Sequence, residues 1–194
     1  MKNSIDEGAL LLEIKALSAV NDERAINLIY HHYYERLLVF AISFVKAKEG
    51  AEEIVEDVII KLWANKNGIA NIENLPAFLF KATKNQSLNF LEKEKRNLAE
   101  ALSETYANDI ENETISPLDH LILSELSQSF AVAVDSLPEK CRIIFKLVRE
   151  EGFKYKDVAE ILDLSVNTVN NQMASAIKRI CAALQMQRPG SIFK

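Results

Sequence analysis

Residues 154–180 read KYKDVAEILDLSVNTVNNQMASAIKRI, two segments of helical apolar spacing with only Asp163-Leu164-Ser165 between them. So short a link constrains the fold more than anything else in the chain. A three-residue elbow holds two helices at a steep angle and turns the second outward. Ala159 is the small residue that lets the second helix cross the first, with Val158 and Leu162 as its core partners. Ser165 is placed to cap the second helix. Val169, Met173, Ile177 and Ile180 recur at helical spacing and predict its buried stripe. The outward face then carries Asn167, Thr168, Asn170, Asn171, Gln172, Ser175, Lys178 and Arg179. Asn and Gln pair with the major-groove edge of adenine, while Lys and Arg reach guanine or phosphate. A hairpin needing only solubility would more often show Glu and Lys there, so the residues point to DNA.

The rest of the chain has the same helical character. Gly (5) and Pro (4) are scarce among 194 residues, which disfavours a turn-rich β fold. Residues 8–20 and 23–46 read as two helices, with Asn21-Asp22 as break and cap. The third helical segment, AEEIVEDVIIKLWANK after Gly50, places Ile54, Val55, Val58, Ile59, Leu62 and Trp63 on one face. Asn67-Gly68 is expected to end it, and residues 69–75 to form a short connection. Pro76 suits the first turn of PAFLFKATKNQSLNFLEKEKR. Residues 118–134 form another amphipathic helix, and SLPE at 136–139 starts the next, which Gly152 ends. The expected fold class is all-α.

Charge divides the chain. Residues 1–97 carry 13 Lys/Arg and 14 Asp/Glu; residues 98–134 carry seven acids and no Lys or Arg; residues 135–194 carry ten basic and seven acidic groups. The net charge of -5 is therefore concentrated in the middle, and the last third is mildly basic. A one-sign block of low apolar density ending at Ser116-Pro117 reads as a solvated, flexible linker over 98–117. The organisation expected is a first domain over 5–97, the linker, and a second domain over 118–185.

Several function classes find no support. Cys141 and Cys181 stand far apart in apolar-periodic segments and read as free thiols of a reducing compartment. No apolar run approaches the roughly 20 residues of a membrane span, and the N-terminus lacks a secretory signal. A cytoplasmic protein is expected. Adjacent His31 and His32 point about 100° apart on a helix and lack a third ligand at suitable spacing, so no metal is implied. No nucleophile–base constellation, phosphate-cradling loop or paired catalytic carboxylates stand out, so neither an enzyme nor a cofactor is expected.

In the first half, KATKNQSLN sets Lys81, Lys84, Asn85, Gln86 and Asn89 on one helix. Polar groups around a small pocket, with cations for the backbone, suit a base held outside the stack. They equally suit the wet face of a core helix. AEEIVEDVIIKLW reads either as a partner-binding helix or as a core helix with an acidic outer face.

LPEKCRIIFKLVREEGFKYKDVAEILDLSVNTVNNQMASAIKRI, residues 137–180, resembles the C-terminal domain of the extracytoplasmic-function sigma factors of the sigma-70 family. AEEIVEDVIIKLWANK resembles that family's region-two helix, which grips the clamp helices of RNA polymerase. PAFLFKATKNQSLNFLEKEKR resembles the following segment, which captures the minus-ten promoter element. The blocks stand in the family's order, separated by an acidic linker, and the resemblance covers nearly the whole chain. Two departures stand out. Asp163 occupies the turn where the family usually has Gly, and the recognition segment carries fewer Arg and Lys than many members.

The resemblance implies a sigma region 2 helical bundle and a sigma region 4 helix-turn-helix. It assigns the minus-thirty-five element to the recognition face with Ser165, and the minus-ten element to Lys81, Lys84, Asn85, Gln86, Asn89, Lys93, Lys95 and Arg96. It assigns polymerase contact to Glu53, Ile54, Asp57, Val58, Lys61 and Leu62. The implied partners are core RNA polymerase, promoter DNA and an anti-sigma factor, often membrane-bound in the family, with no small-molecule substrate. Two alternatives remain at this point: a helix-turn-helix regulator acting without polymerase, and a sigma-like protein-interaction module.

Overall fold

Helix starts and stops in this chain are set by a few side chains. The computed structural model describes residues 7–20, 22–102 and 125–186, with side chains for all of these except 66, 67, 98–102, 125–127 and 185–186. Regular structure among the described residues is helical throughout. The chain divides into two units, Met1–Ile115 and Ser116–Lys194.

In the first unit, α1 spans Glu7–Ala19, α2 Arg24–Val45, α3 Lys48–Ala64 and α4 Leu75–Leu102. Asp22 precedes α2 and its Oδ1 accepts the Arg24 backbone N–H at 2.9 Å, satisfying a donor the helix start leaves open. α2 packs against α1, α3 and α4, and its Ile29, Tyr33, Leu37 and Ala41 lie wholly inside. Lys46 takes a left-handed φ of 60° between α2 and α3, allowing the sharp reversal. α3 and α4 also approach closely: a Cβ on Gly50 would lie 2.9 Å from the Phe90 ring. Asn74 Oδ1 accepts the Ala77 N–H at 3.1 Å and caps α4, with Pro76 in its first turn.

The end of α3 differs from the sequence expectation. The helix stops at Ala64, three residues before Asn67-Gly68, and a 3-10 helix covers Lys66–Asn71 where a plain connection was expected. Asn65 is the cause visible in the geometry. Its side-chain Nδ2 turns back to the Lys61 carbonyl at 3.0 Å, and its own carbonyl accepts the Gly68 N–H at 2.8 Å. That competition tightens the chain to a three-residue period. Ile69, almost fully buried, pins the turn to the core. α4 also continues to Leu102, five residues past the expected boundary at 97. The remainder of the acidic linker lies outside the described residues, as does the first part of the helix expected over 118–134.

In the second unit, α5 spans Glu125–Asp135, α6 Glu139–Arg149, α7 Tyr155–Leu162 and α8 Val166–Met186. α8 packs on α5, α6 and α7. Gly152, at φ 75°, closes α6, and the Phe153 N–H returns to the Leu147 carbonyl at 3.1 Å. Asp157 Oδ2 accepts the Lys154 N–H at 3.2 Å and fixes the start of α7.

At the elbow, Asp163 adopts φ 53° and ψ 47°, the left-handed conformation that Gly takes more cheaply. The Leu164 N–H returns to the Ala159 carbonyl at 2.8 Å. Two apolar assignments shift. Ile177 is 42% exposed, and Ala176 completes the buried stripe with Val169, Met173 and Ile180. The spacing of four, three and four keeps that set on one side, while Ile177 lies about 40° past its edge at Met173. Likewise Ile161 is the buried partner of Val158, and Leu162 is only half-buried.

Candidate nucleic-acid interface

α8 begins with its donors satisfied by its own sequence. Ser165 Oγ accepts the Thr168 N–H at 3.0 Å, and the two hydroxyls lie 2.8 Å apart. Ser165 and Thr168 therefore serve first as a cap. Asn167, Asn170, Asn171, Lys178 and Arg179 are exposed, with Gln172 and Ser175 half-buried along the flanks. From Asn167 to Arg179 the row extends about 18 Å at 1.5 Å per residue, with amides first and cations last. A helix admitted to a groove about 12 Å wide can put the amides on base edges and the cations on phosphates.

α4 distributes its polar residues differently. Asn85, Asn89, Lys93, Lys95 and Arg96 are exposed and Lys81 is half-buried. Lys81, Asn85, Asn89, Lys93 and Arg96 share one side at steps of four, four, four and three. Lys84 departs from the group: it is 5% exposed and lies between buried Thr83 and Ser87, so this conformation does not offer its ammonium to DNA. Gln86 faces α3. Its Nε2 donates to Asp57 Oδ2 at 2.9 Å, and its Oε1 accepts from Lys61 Nζ at 3.1 Å. Lys61 and Asp57 are themselves 3.6 Å apart.

Beside this network lies a half-open cavity of about 350 Å³ between α3, the 3-10 helix and α4. Leu62, Ile69, Ile72 and Phe78 supply apolar walls, and Lys61 and Gln86 supply polar groups. Its size is at the lower end of small-molecule sites, about 300–1,000 Å³. The role of Asn65, Gly68, Ile69 and Ile72 as a wall was not visible in the sequence, where Asn67-Gly68 read only as a stop. The one cue was the pair Ile69 and Ile72, three residues apart in a supposed loop.

On α3, the expected polymerase-contacting set divides. Ile54, Val58 and Leu62 are buried in the unit's own core, at 1%, 5% and 5% exposure, and present no outer surface to polymerase in this conformation, although Val58 and Leu62 line the cavity. Glu53, Asp57 and Lys61 are accessible. Ile60, 65% exposed, shares the outer stripe of Glu53 and Glu56 and was missed. The run Val58-Ile59-Ile60 carried the signal, because three successive apolar residues cannot all face one core. Against this region of α3, burial pushes the Tyr34 hydroxyl above the ordinary tyrosine range, with Tyr30, Glu52, Glu56 and Glu35 adding to the effect. Tyr34 thus stays a neutral donor on an acidic surface.

Comparison with known proteins gives the same assignment. The sequence profile of the family described as Sigma-70, region 4 matches residues 127–180, a span that includes the elbow and the row on α8. The extracytoplasmic-function RNA polymerase sigma factor EcfG of Rhodopseudomonas palustris is 29% identical over 148 residues, covering 76% of this chain and 78% of that protein. The sigma-E factor of Haemophilus influenzae is 23% identical over 167 residues, covering 82% and 87%. The sigma factor RpoE of Bartonella quintana, solved with the anti-sigma factor NepR, superposes with a TM-score of 0.58 at 25% identity, covering 82% of this chain and 96% of that one. With the capped helix-turn-helix and the helical unit before it, these matches support assigning the chain to the extracytoplasmic-function group of the sigma-70 family of RNA polymerase sigma factors.

Proposed function

We infer that this chain directs core RNA polymerase to specific promoters and helps open the duplex there. The observation that carries the reading is the presence, on one chain, of two separate outward polar rows: Asn167 to Arg179 on α8 and Lys81 to Arg96 on α4. The second unit takes the minus-thirty-five element through the α8 row. The first takes the minus-ten element through the α4 row, and the cavity beside Gln86 receives one unstacked base. Neither contact need be strong, because polymerase holds both units and makes the second contact effectively intramolecular. A chain of net charge -5 then needs no high affinity for DNA by itself.

The polymerase-facing surface of α3 is Glu53, Glu56 and exposed Ile60. The action is non-catalytic, takes place in the cytoplasm, and requires neither a cofactor nor a small-molecule substrate. The acidic segment over 98–117 enters the positively charged transcript path of polymerase. Replacing its acids by Ser or Gln should impair initiation, and full activity would remove that assignment. An anti-sigma factor holds the chain inactive by covering surfaces that polymerase would use, as suggested by the Bartonella relative solved with NepR.

Run-off transcription tests the reading. The purified chain, core polymerase of the cell that encodes it and a library of that cell's promoter fragments should yield transcripts sharing a spaced pair of motifs. Tight operator binding without core, and no core-dependent transcripts, would overturn the reading in favour of a free-standing regulator. Core binding without transcripts would make the chain an interaction module.

A further inference from the structure

We propose that Asp57 and Lys61 are positioning residues for promoter reading: they lock the amide of Gln86 in one orientation at the rim of the α3–α4 cavity, and so set which base the cavity accepts. This rests on the sigma-factor reading above and deepens its minus-ten site.

The argument begins with what each group can do. A carboxylate accepts only, and an ammonium donates only. Gln86 meets one of each, at 2.9 Å from Asp57 Oδ2 and 3.1 Å from Lys61 Nζ. An amide is ordinarily ambiguous because its oxygen and nitrogen can exchange places by a half-turn. Here the half-turn would set Nε2 against an ammonium and Oε1 against a carboxylate, so both bonds would be lost and two repulsions gained. Asp57 and Lys61 are one helical turn apart on α3 and 3.6 Å from each other, so the pair is a ready-made template. As a stabilising device the pair is weak, since its side chains are 44% and 61% exposed and solvent screens such surface pairs. Orientation is the effect it can deliver.

An amide has two N–H donors and two carbonyl lone pairs. Asp57 and Lys61, 3.6 Å apart, take the side-by-side N–H and lone pair, and the remaining N–H and lone pair point away from each other, each held in a fixed place. Gln86 and Lys61 both line the cavity, whose other walls are apolar apart from Asn65 and Gly68. A base entering it meets mainly apolar faces and, at Gln86, a polar group whose donor or acceptor character is fixed. A base therefore meets one fixed donor or one fixed acceptor of Gln86 but not both, and the base edge that offers the opposite group is favoured. Asp57 and Lys61 thereby belong to the DNA-reading side of α3, and Glu53 with Ile60 to the polymerase side.

The test is transcription by core polymerase with the full chain from a pool of promoter duplexes randomised across the minus-ten region, read by sequencing the transcripts. Core affinity is measured in parallel. Gln86→Met removes the reader and should flatten the preference at one position. Asp57→Asn combined with Lys61→Met removes both groups that tell the two ends of the amide apart, so either orientation becomes acceptable. Both should flatten the preference at the same position, by up to about tenfold for a lost hydrogen bond, with core affinity retained. Flattening in Gln86→Met alone would overturn the positioning role. Weaker core binding with an intact preference in the double variant would overturn it too, and return both residues to the polymerase contact. If the wild-type chain gave no promoter-dependent transcripts, the underlying sigma reading would fail instead.

Discussion

α8 and α4 both carry polar rows assigned to DNA, yet they relate to their units in different ways. α8 starts at a capped elbow, buries Val169, Met173, Ala176 and Ile180, and leaves its amides and cations in solvent. α4 is gripped by α2 and α3. Part of its polar content is drawn inside: the Thr83 and Ser87 hydroxyls bond carbonyls one turn back at 2.9 and 2.8 Å, Lys84 is buried, and Gln86 is held by α3. A helix packed on one side shows its binding residues directly. In a helix packed on two sides, a polar residue can serve the surface, the core or a neighbour's orientation.

The largest effects should come from breaking the packing that presents each row. Phe80→Ala, at 1% exposure, should destabilise the first unit by about 3–5 kcal/mol, and Met173→Ala, also at 1%, the second by about 2–5 kcal/mol. Hydrogen exchange should place each loss in its own unit. If Met173→Ala left α8 as protected as before, the stripe assigned to it would be wrong.

Next are substitutions on the row itself. Asn170→Ala should lose about 1–3 kcal/mol of discrimination at one promoter position. Lys178→Gln should weaken all promoters alike and reduce the salt dependence of binding by roughly one phosphate contact. Equal behaviour of the two variants across promoters would remove the division of the row into amide readers and phosphate anchors.

Smaller effects belong to the elbow. Ser165→Ala deletes the cap on the Thr168 N–H and should cost about 1 kcal/mol by thermal or denaturant unfolding. Asp163→Gly should change stability least, by no more than about 1 kcal/mol. Relief of the left-handed strain at φ 53° is offset by the greater freedom of Gly in the unfolded chain. A loss well above that figure would mean that the Asp163 side chain supports the turn.

The same contrast explains what the sequence disclosed. The elbow, its cap and the outward row were legible because local spacing sets them: three residues between two periodic segments, Ser before a helix, amides opposite an apolar stripe. Ile177 was misplaced because Ala176 is too weakly apolar to mark a stripe. The cavity was hidden because its walls come from α3, a 3-10 turn read as a loop, and α4, which no local window contains. Ile54, Val58 and Leu62 were assigned to a partner through family resemblance, although their three-four spacing already marked them as core. Gln86 looked like its neighbours in the row, and only tertiary packing shows that α3 holds it.

The central claim is that two surfaces of one chain read two separated promoter motifs. The most direct measurement is transcription from a randomised promoter pool by core polymerase with wild type, Asn170→Ala or Asn89→Ala. The account predicts that Asn170→Ala alters preference only in the upstream motif and Asn89→Ala only in the downstream one. Changes by both variants in the same motif, or in neither, would contradict it.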